Sequence, residues 1–255
     1  MSLDCTTVLG TRIDALTWDE ALSCIVFWAK SGVSRMVCLC NVHVVVTARS
    51  DPALYAALAQ CELAAPDGAP LAWLLRQRRW PRQPRINGPD LMWRLLAEAE
   101  REQLGVFFYG STTATLARLV QVLQSAFPTL RIAGYLSPPF RALSAEEASD
   151  IRHAIHHSGA QLVLVGLGCP KQEKWMAAEH GRIHAVMLGV GAAFDYHAGT
   201  IRRAPAAWQR AGFEWLYRLA MEPSRLLRRY LVTNTLFLLA LPGELWRQRS
   251  AEKHR

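Results

Sequence analysis

Residues 161–173 read Gln161-Leu-Val-Leu-Val-Gly-Leu-Gly-Cys-Pro-Lys-Gln-Glu173. A short apolar run breaks at glycine, and a proline then opens a polar stretch. Four or five apolar residues bounded by glycine suit a buried strand. Proline suits a first helical turn, where its missing N–H has no intrahelical partner to lose. The stretch therefore predicts strand, turn and helix, and the same order recurs along the chain. Further apolar runs lie at 36–40, 62–65, 106–109, 131–135 and 185–188, most of them bounded by Gly, Pro or Asp. Between them stand helix starts. Thr17-Trp-Asp-Glu20 and Ser144-Ala-Glu-Glu147 read as capping boxes, and Asp51-Pro52 and Gly88-Pro89 place proline in a first turn. This alternation predicts an α/β fold, a Rossmann-like parallel sheet with helices on both faces.

The pattern changes near Gly199. Beyond it strand signals stop, and Arg-rich helical segments follow, with breaks expected at Pro205, Pro223 and Pro242. Two units are expected: an α/β core over 1–199 and a helical appendage over 200–255. Charge divides at the same place. Residues 201–255 hold eleven Arg or Lys against four Glu, whereas the remainder holds eighteen basic against seventeen acidic residues. The net charge of +8 is thus almost wholly a property of the tail, which is also apolar through Leu226, Leu227, Tyr230, Leu231, Phe237 and Leu238. A basic, apolar segment should meet something anionic and greasy, such as a membrane surface or a lipid diphosphate. The apolar stretch 230–242 is too short to span a bilayer, which needs about twenty residues. Cys5, Cys24, Cys38, Cys40, Cys61 and Cys169 show no metal or CxxC spacing, and residues 1–10 carry no secretory pattern. A cytoplasmic, reducing location is expected.

In an open parallel sheet, ligands collect at the carboxyl ends of the strands. Asn41 follows one strand, as helix cap or ligand contact, and His43 stands beside it. Asp67, in Ala65-Pro-Asp-Gly68, is either the cap of a helix starting near Ala69 or a general base. In Arg85-Ile-Asn-Gly-Pro-Asp90, Asp90 suits a first helical turn, while Arg85 is a solvated basic residue or a phosphate clamp. Lys171 and Gln172 should lie near any ligand at their strand end. Asp195 and His197 follow the glycine-rich exit Gly189-Val-Gly-Ala-Ala-Phe-Asp195. In the tail, Arg225, Arg228 and Arg229 share a helical face, opposite an apolar stripe through Leu227, Tyr230, Leu231, Leu238 and Leu241. No Asp-x-Asp pair is present, so neither a metal nor any other cofactor is expected, and arginines must neutralise any departing diphosphate. Neither glycine turn, Tyr109-Gly-Ser-Thr-Thr113 or Gly166-Leu-Gly-Cys-Pro-Lys-Gln-Glu173, is a P-loop or a dinucleotide fingerprint. That weighs against a nucleotide-binding oxidoreductase, and the site-like residues weigh against a non-enzymatic membrane or nucleic-acid adaptor.

Together these motifs, with Phe108-Tyr-Gly-Ser111 and Glu214-Trp-Leu-Tyr-Arg-Leu-x-x-Glu-Pro-x-Arg225, resemble the WecG/TagA/CpsF glycosyltransferases over residues 8–245. The resemblance implies inverting transfer of a sugar from a UDP donor to an undecaprenyl-diphosphate-linked saccharide, as in cell-surface polysaccharide synthesis. It implies Asp67 as the base with Asn41 beside it, although Leu39 stands where the family commonly has threonine. It places Arg85 in the site, Gln172 near the nucleotide, and Arg218, Arg225 and Arg228 on an appendage that closes over the site. The expected partners are the UDP-sugar, the lipid-linked acceptor and the inner face of the cell membrane, with no nucleic acid; a homo-oligomer is left open.

Overall fold

The computed structural model describes residues 3–253, except the side chains of Arg225 and of residues 247–253. The strands are β1 (Cys5–Val8), β2 (Thr11–Asp14), β3 (Arg35–Cys40), β4 (Leu63–Pro66), β5 (Val106–Gly110), β6 (Ile132–Leu136), β7 (Leu162–Gly166) and β8 (Val186–Gly189). The helices are α1 (Trp18–Lys30), α2 (Val42–Ala48), α3 (Pro52–Ala59), α4 (Ala69–Gln77), α5 (Gly88–Arg101) and α6 (Thr113–Ala126). They continue with α7 (Ala145–His157), α8 (Lys171–Glu179), α9 (Ala193–His197), α10 (Ala206–Arg210), α11 (Glu214–Met221) and α12 (Pro223–Lys253).

The last six strands form one parallel sheet in the order β4-β3-β8-β7-β5-β6. All six expected strands are present, each within two residues of its expected ends. Strand side chains alternate between two cores. Met36, Cys38 and Cys40 face α2, α3 and α8, while Val37 and Leu39 face α1 and α5. β5 repeats the pattern, with Phe107 and Tyr109 on the first face and Val106 and Phe108 on the second. Both capping boxes form, on Thr17 and Ser144.

Two features differ from the expectation. An antiparallel hairpin, β1–β2, precedes the sheet. Its two-residue turn puts Leu9 at φ 50° and Gly10 at φ 87°, the left-handed geometry such hairpins require. Asp14 then ties the hairpin to the sheet edge by accepting from the Ala64 N–H at 2.8 Å. Pro242, expected to break the tail, lies inside α12, which runs on past it. α12 is held from outside: Leu226, Thr233, Phe237 and Glu244 form one buried row, and the helix lies on the valine-rich α2. Packing along that row offsets the hydrogen bond that proline removes. Among the described residues, no helix is long and apolar enough to cross a membrane.

Candidate active site

The strand ends open into a cavity of about 790 Å³. Its floor consists of loops leaving β3, β4, β5, β7 and β8, and its roof is α11 and α12. Glycines let the floor close up. A Cβ at Gly110 would stand 2.6 Å from the Gly166 carbonyl carbon, and one at Gly166 would stand 2.6 Å from the Phe194 ring. A side chain at Gly110 would force the β5 and β7 exits apart, and one at Gly166 would displace Phe194 of α9.

Asp67 sits where β4 ends, its N–H donating to the Cys40 carbonyl at 2.8 Å, which extends the β3–β4 ladder by one residue. It does not cap α4, whose N-cap is Gly68 with no side-chain bond. The cap expectation is thereby removed, and the carboxylate faces the cavity at 20 % exposure. Asn41 is the N-cap of α2. Its Oδ1 accepts from the Val44 N–H at 3.2 Å, which turns its amide NH₂ toward Asp67 Oδ2, 3.4 Å away. Arg85 donates through Nε to the Asp67 carbonyl, and its Nη2 lies 3.6 Å from Asp67 Oδ1. Its Nη1 donates to Glu214 Oε2 of α11 at 2.7 Å. Burial pushes the Asp67 carboxyl above the usual carboxylate range; Arg85, Asn41 and Arg218 pull it back, and Glu214 adds to the rise.

The other expected residues divide in two. Gln172 lines the cavity, but its amide is a strut. Oε1 accepts from the N–H groups of Gly168 and Gly191, each at 3.1 Å, and Nε2 donates to Glu173 at 2.9 Å. Lys171, one residue earlier, is exposed and does not line the cavity, because the first turn of α8 points it outward. Asp90 also stands outside the lining. It accepts from Asn87 Nδ2 at 2.7 Å and from Arg203, another ion pair between body and tail beside Arg85–Glu214. Burial disfavours its charge, yet those two donors outweigh burial and hold its carboxyl below the usual range. Asp195 lines the cavity and accepts from the Thr200 hydroxyl at 3.3 Å. His197 is turned away from the cavity, its ring stacked on Trp93 and Nε2 2.9 Å from the Pro89 carbonyl. His43 lines the cavity, and burial followed by Arg229 lowers its pKa to about 4, so it is neutral near pH 7.

From the roof, Arg218 enters the cavity with its guanidinium 5.7 Å from the Tyr196 ring. Burial raises the Tyr196 phenol to about 12, so it stays neutral beside that cation. On α12 the helical phase differs from the expectation. Arg229 lines the cavity and Arg228 is exposed, because the row that meets α2 runs through Leu226, Thr233 and Phe237. Arg225 lies on the same helix, its side chain outside the described residues. The apolar stripe divides likewise: Tyr230, Leu238 and Leu241 line the cavity, while Leu227 and Leu231 are exposed. The Nε atoms of Arg218 and Arg229 are buried and meet no hydrogen-bond acceptor among the described residues. Sequence reasoning passed over Glu214, Arg203 and Tyr196; the first lay within the quoted tail motif, and the other two had no signal beyond composition.

A carboxylate on one wall and Arg218 and Arg229 on the other suit attack by a hydroxyl with loss of an anion. The model of the glycosyl transferase WecG/TagA/CpsF family matches residues 6–251, and the chain belongs to that family. It is a glycosyltransferase of cell-surface polysaccharide synthesis, in a family whose members suggest a nucleotide-sugar donor and a lipid-linked acceptor. Membership sets aside the oxidoreductase and adaptor alternatives.

Proposed function

We propose that the protein moves a sugar from a UDP donor to an undecaprenyl-diphosphate-linked saccharide, with inversion and without a metal, at the inner face of the cell membrane. One observation carries the reading: Asp67, Arg218 and Arg229 line a single cavity. The diphosphate would lie between those arginines and the glycine turns at the starts of α6 and α8, where free N–H groups and the helix dipole favour an anion. The acceptor hydroxyl would approach from the side of Asp67. Its oxygen forms a bond to the anomeric carbon, the bond from that carbon to the diphosphate oxygen breaks, and UDP leaves with the bonding electrons. Asp67 takes the hydroxyl proton. A single displacement by one base inverts the anomeric centre. Asn41, oriented by its cap bond, steadies the carboxylate, and Arg85 holds it at the cavity wall.

The roof supports the membrane part of the reading. Trp215, Leu231, Leu239 and Trp246 are all exposed there, as is Trp208 on α10, so the tail presents apolar side chains among arginines. Trp73, Trp215 and Leu241 continue that apolar surface into the cavity and offer a path for a lipid-borne substrate.

The deciding experiment measures UDP release from a panel of UDP-sugars with a short lipid-diphosphate-linked acceptor. Release that needs the acceptor and vanishes in Asp67→Asn is expected. Because only ionised Asp67 can accept a proton, and its pKa is raised, kcat/KM should climb with pH through a limb above the ordinary carboxylate range. No acceptor-dependent release from any UDP-sugar would overturn the donor and acceptor assignment.

A further inference from the structure

We propose that Glu214 is a positioning residue for the base: from α11 it fixes the Arg85 guanidinium against Asp67, so the seating of the roof governs the carboxylate on the floor. The inference rests on the reading of Asp67 as the base. Arg85 is bound on three sides. Nε meets the Asp67 carbonyl, Nη2 lies 3.6 Å from Oδ1 of the same residue, and Nη1 meets Glu214 Oε2 at 2.7 Å. A guanidinium is planar and rigid, so holding Nη1 sets the direction of Nε and Nη2. Glu214 lies 129 residues beyond Arg85 in sequence and is itself buried at 7 % exposure. A carboxylate at that depth needs a partner, and Arg85 is the one the geometry supplies.

Charge gives Glu214 a second effect. The groups facing Asp67 are Asn41 from the end of β3, Arg85 from the loop before α5, and Glu214 and Arg218 from α11. Arg85 held alone would draw the Asp67 charge toward itself and weaken it as a base. With Glu214 on the opposite edge, the guanidinium is shared between two anions, and Asp67 keeps its affinity for a proton while staying anchored. Lifting the roof would remove Glu214, whose effect on Asp67 outweighs that of Arg218 on the same helix, and would expose the carboxylate to water, so the base reaches full strength only when the site is shut.

The test compares Glu214→Gln, which keeps a hydrogen-bond acceptor but drops the charge, with Glu214→Asp, which keeps the charge on a shorter arm. The Asp67 carboxyl ¹³C resonance, identified by its loss in Asp67→Asn, is titrated in each full-length variant. In Glu214→Gln its midpoint should move to lower pH, and the acid limb of kcat/KM should move with it while kcat falls by roughly tenfold. Glu214→Asp should recover most of the midpoint. A buried residue of merely structural importance would lower Tm and leave both midpoints in place. An unmoved midpoint and limb in Glu214→Gln, with Asp67→Asn inactive, would overturn the role of Glu214 alone. An active Asp67→Asn would instead overturn the reading on which it rests.

Discussion

On the floor of the cavity most polar side chains are occupied by one another; in the roof Arg218 and Arg229 each keep a buried Nε with no acceptor among the described residues. Asn41 caps a helix, Gln172 bridges two glycine turns, and Asp90 is bound by Asn87 and Arg203. Arg85 bonds on both sides. Arg218 and Arg229, by contrast, rest on tyrosine rings, and their buried Nε–H groups meet no acceptor among the described residues. Buried donors are normally paired, and among the exceptions Arg218 and Arg229 are the arginines that line the cavity. The floor thus holds geometry, and the roof holds the unsatisfied charge that an anionic leaving group would meet.

The contrast can be broken most severely at its one active member on the floor. Asp67→Asn should lower turnover by ~10²–10⁴ with the fold intact; a variant keeping more than about a tenth of the rate would end the base assignment. Next, Arg218→Ala with Arg229→Ala should cost on the order of 10²–10³ in kcat, whereas Arg228→Ala should stay near wild type. Equal losses from Arg228 and Arg229 would mean that the phase of α12 differs during turnover. Gln172→Ala tests the floor as scaffold. Leaving the Gly168 and Gly191 N–H groups unpaired should lower stability by about 1–3 kcal/mol, read by thermal unfolding, with donor KM little changed. Raised KM at unchanged Tm would make Gln172 a nucleotide contact after all. The smallest expected effect is that of EDTA, which should leave the rate unaltered. Loss in EDTA restored by Mg²⁺ or Mn²⁺ would show that arginines alone do not neutralise the diphosphate.

The sheet was legible in the sequence because most of its strands are dense apolar runs bounded by a glycine, proline or acid, and burial on both faces demands such runs. The hairpin was not, since β1 and β2 are four residues each and carry Thr and Arg outward, too little pattern to register. Asp67, Asn41 and Arg85 could be found because parallel topology tells which loops converge. The strut made by Gln172 and the choice between Arg228 and Arg229 could not. Both depend on how one element is rotated against another: α8 against the β8 exit, and α12 against α2. Pro242 misled for the same reason, because local preference predicts a break where tertiary packing carries the helix through.

The roof also has a place in time. Translation runs toward higher residue numbers, so 229–241 leave the ribosome after every strand of the sheet. Until they arrive, the side of α2 that meets α12 has no cover and meets solvent or a chaperone. A growing chain therefore displays its base before its arginines. Sugar transfer should begin only when α12 has settled, which keeps half-made chains from working on lipid-linked precursors.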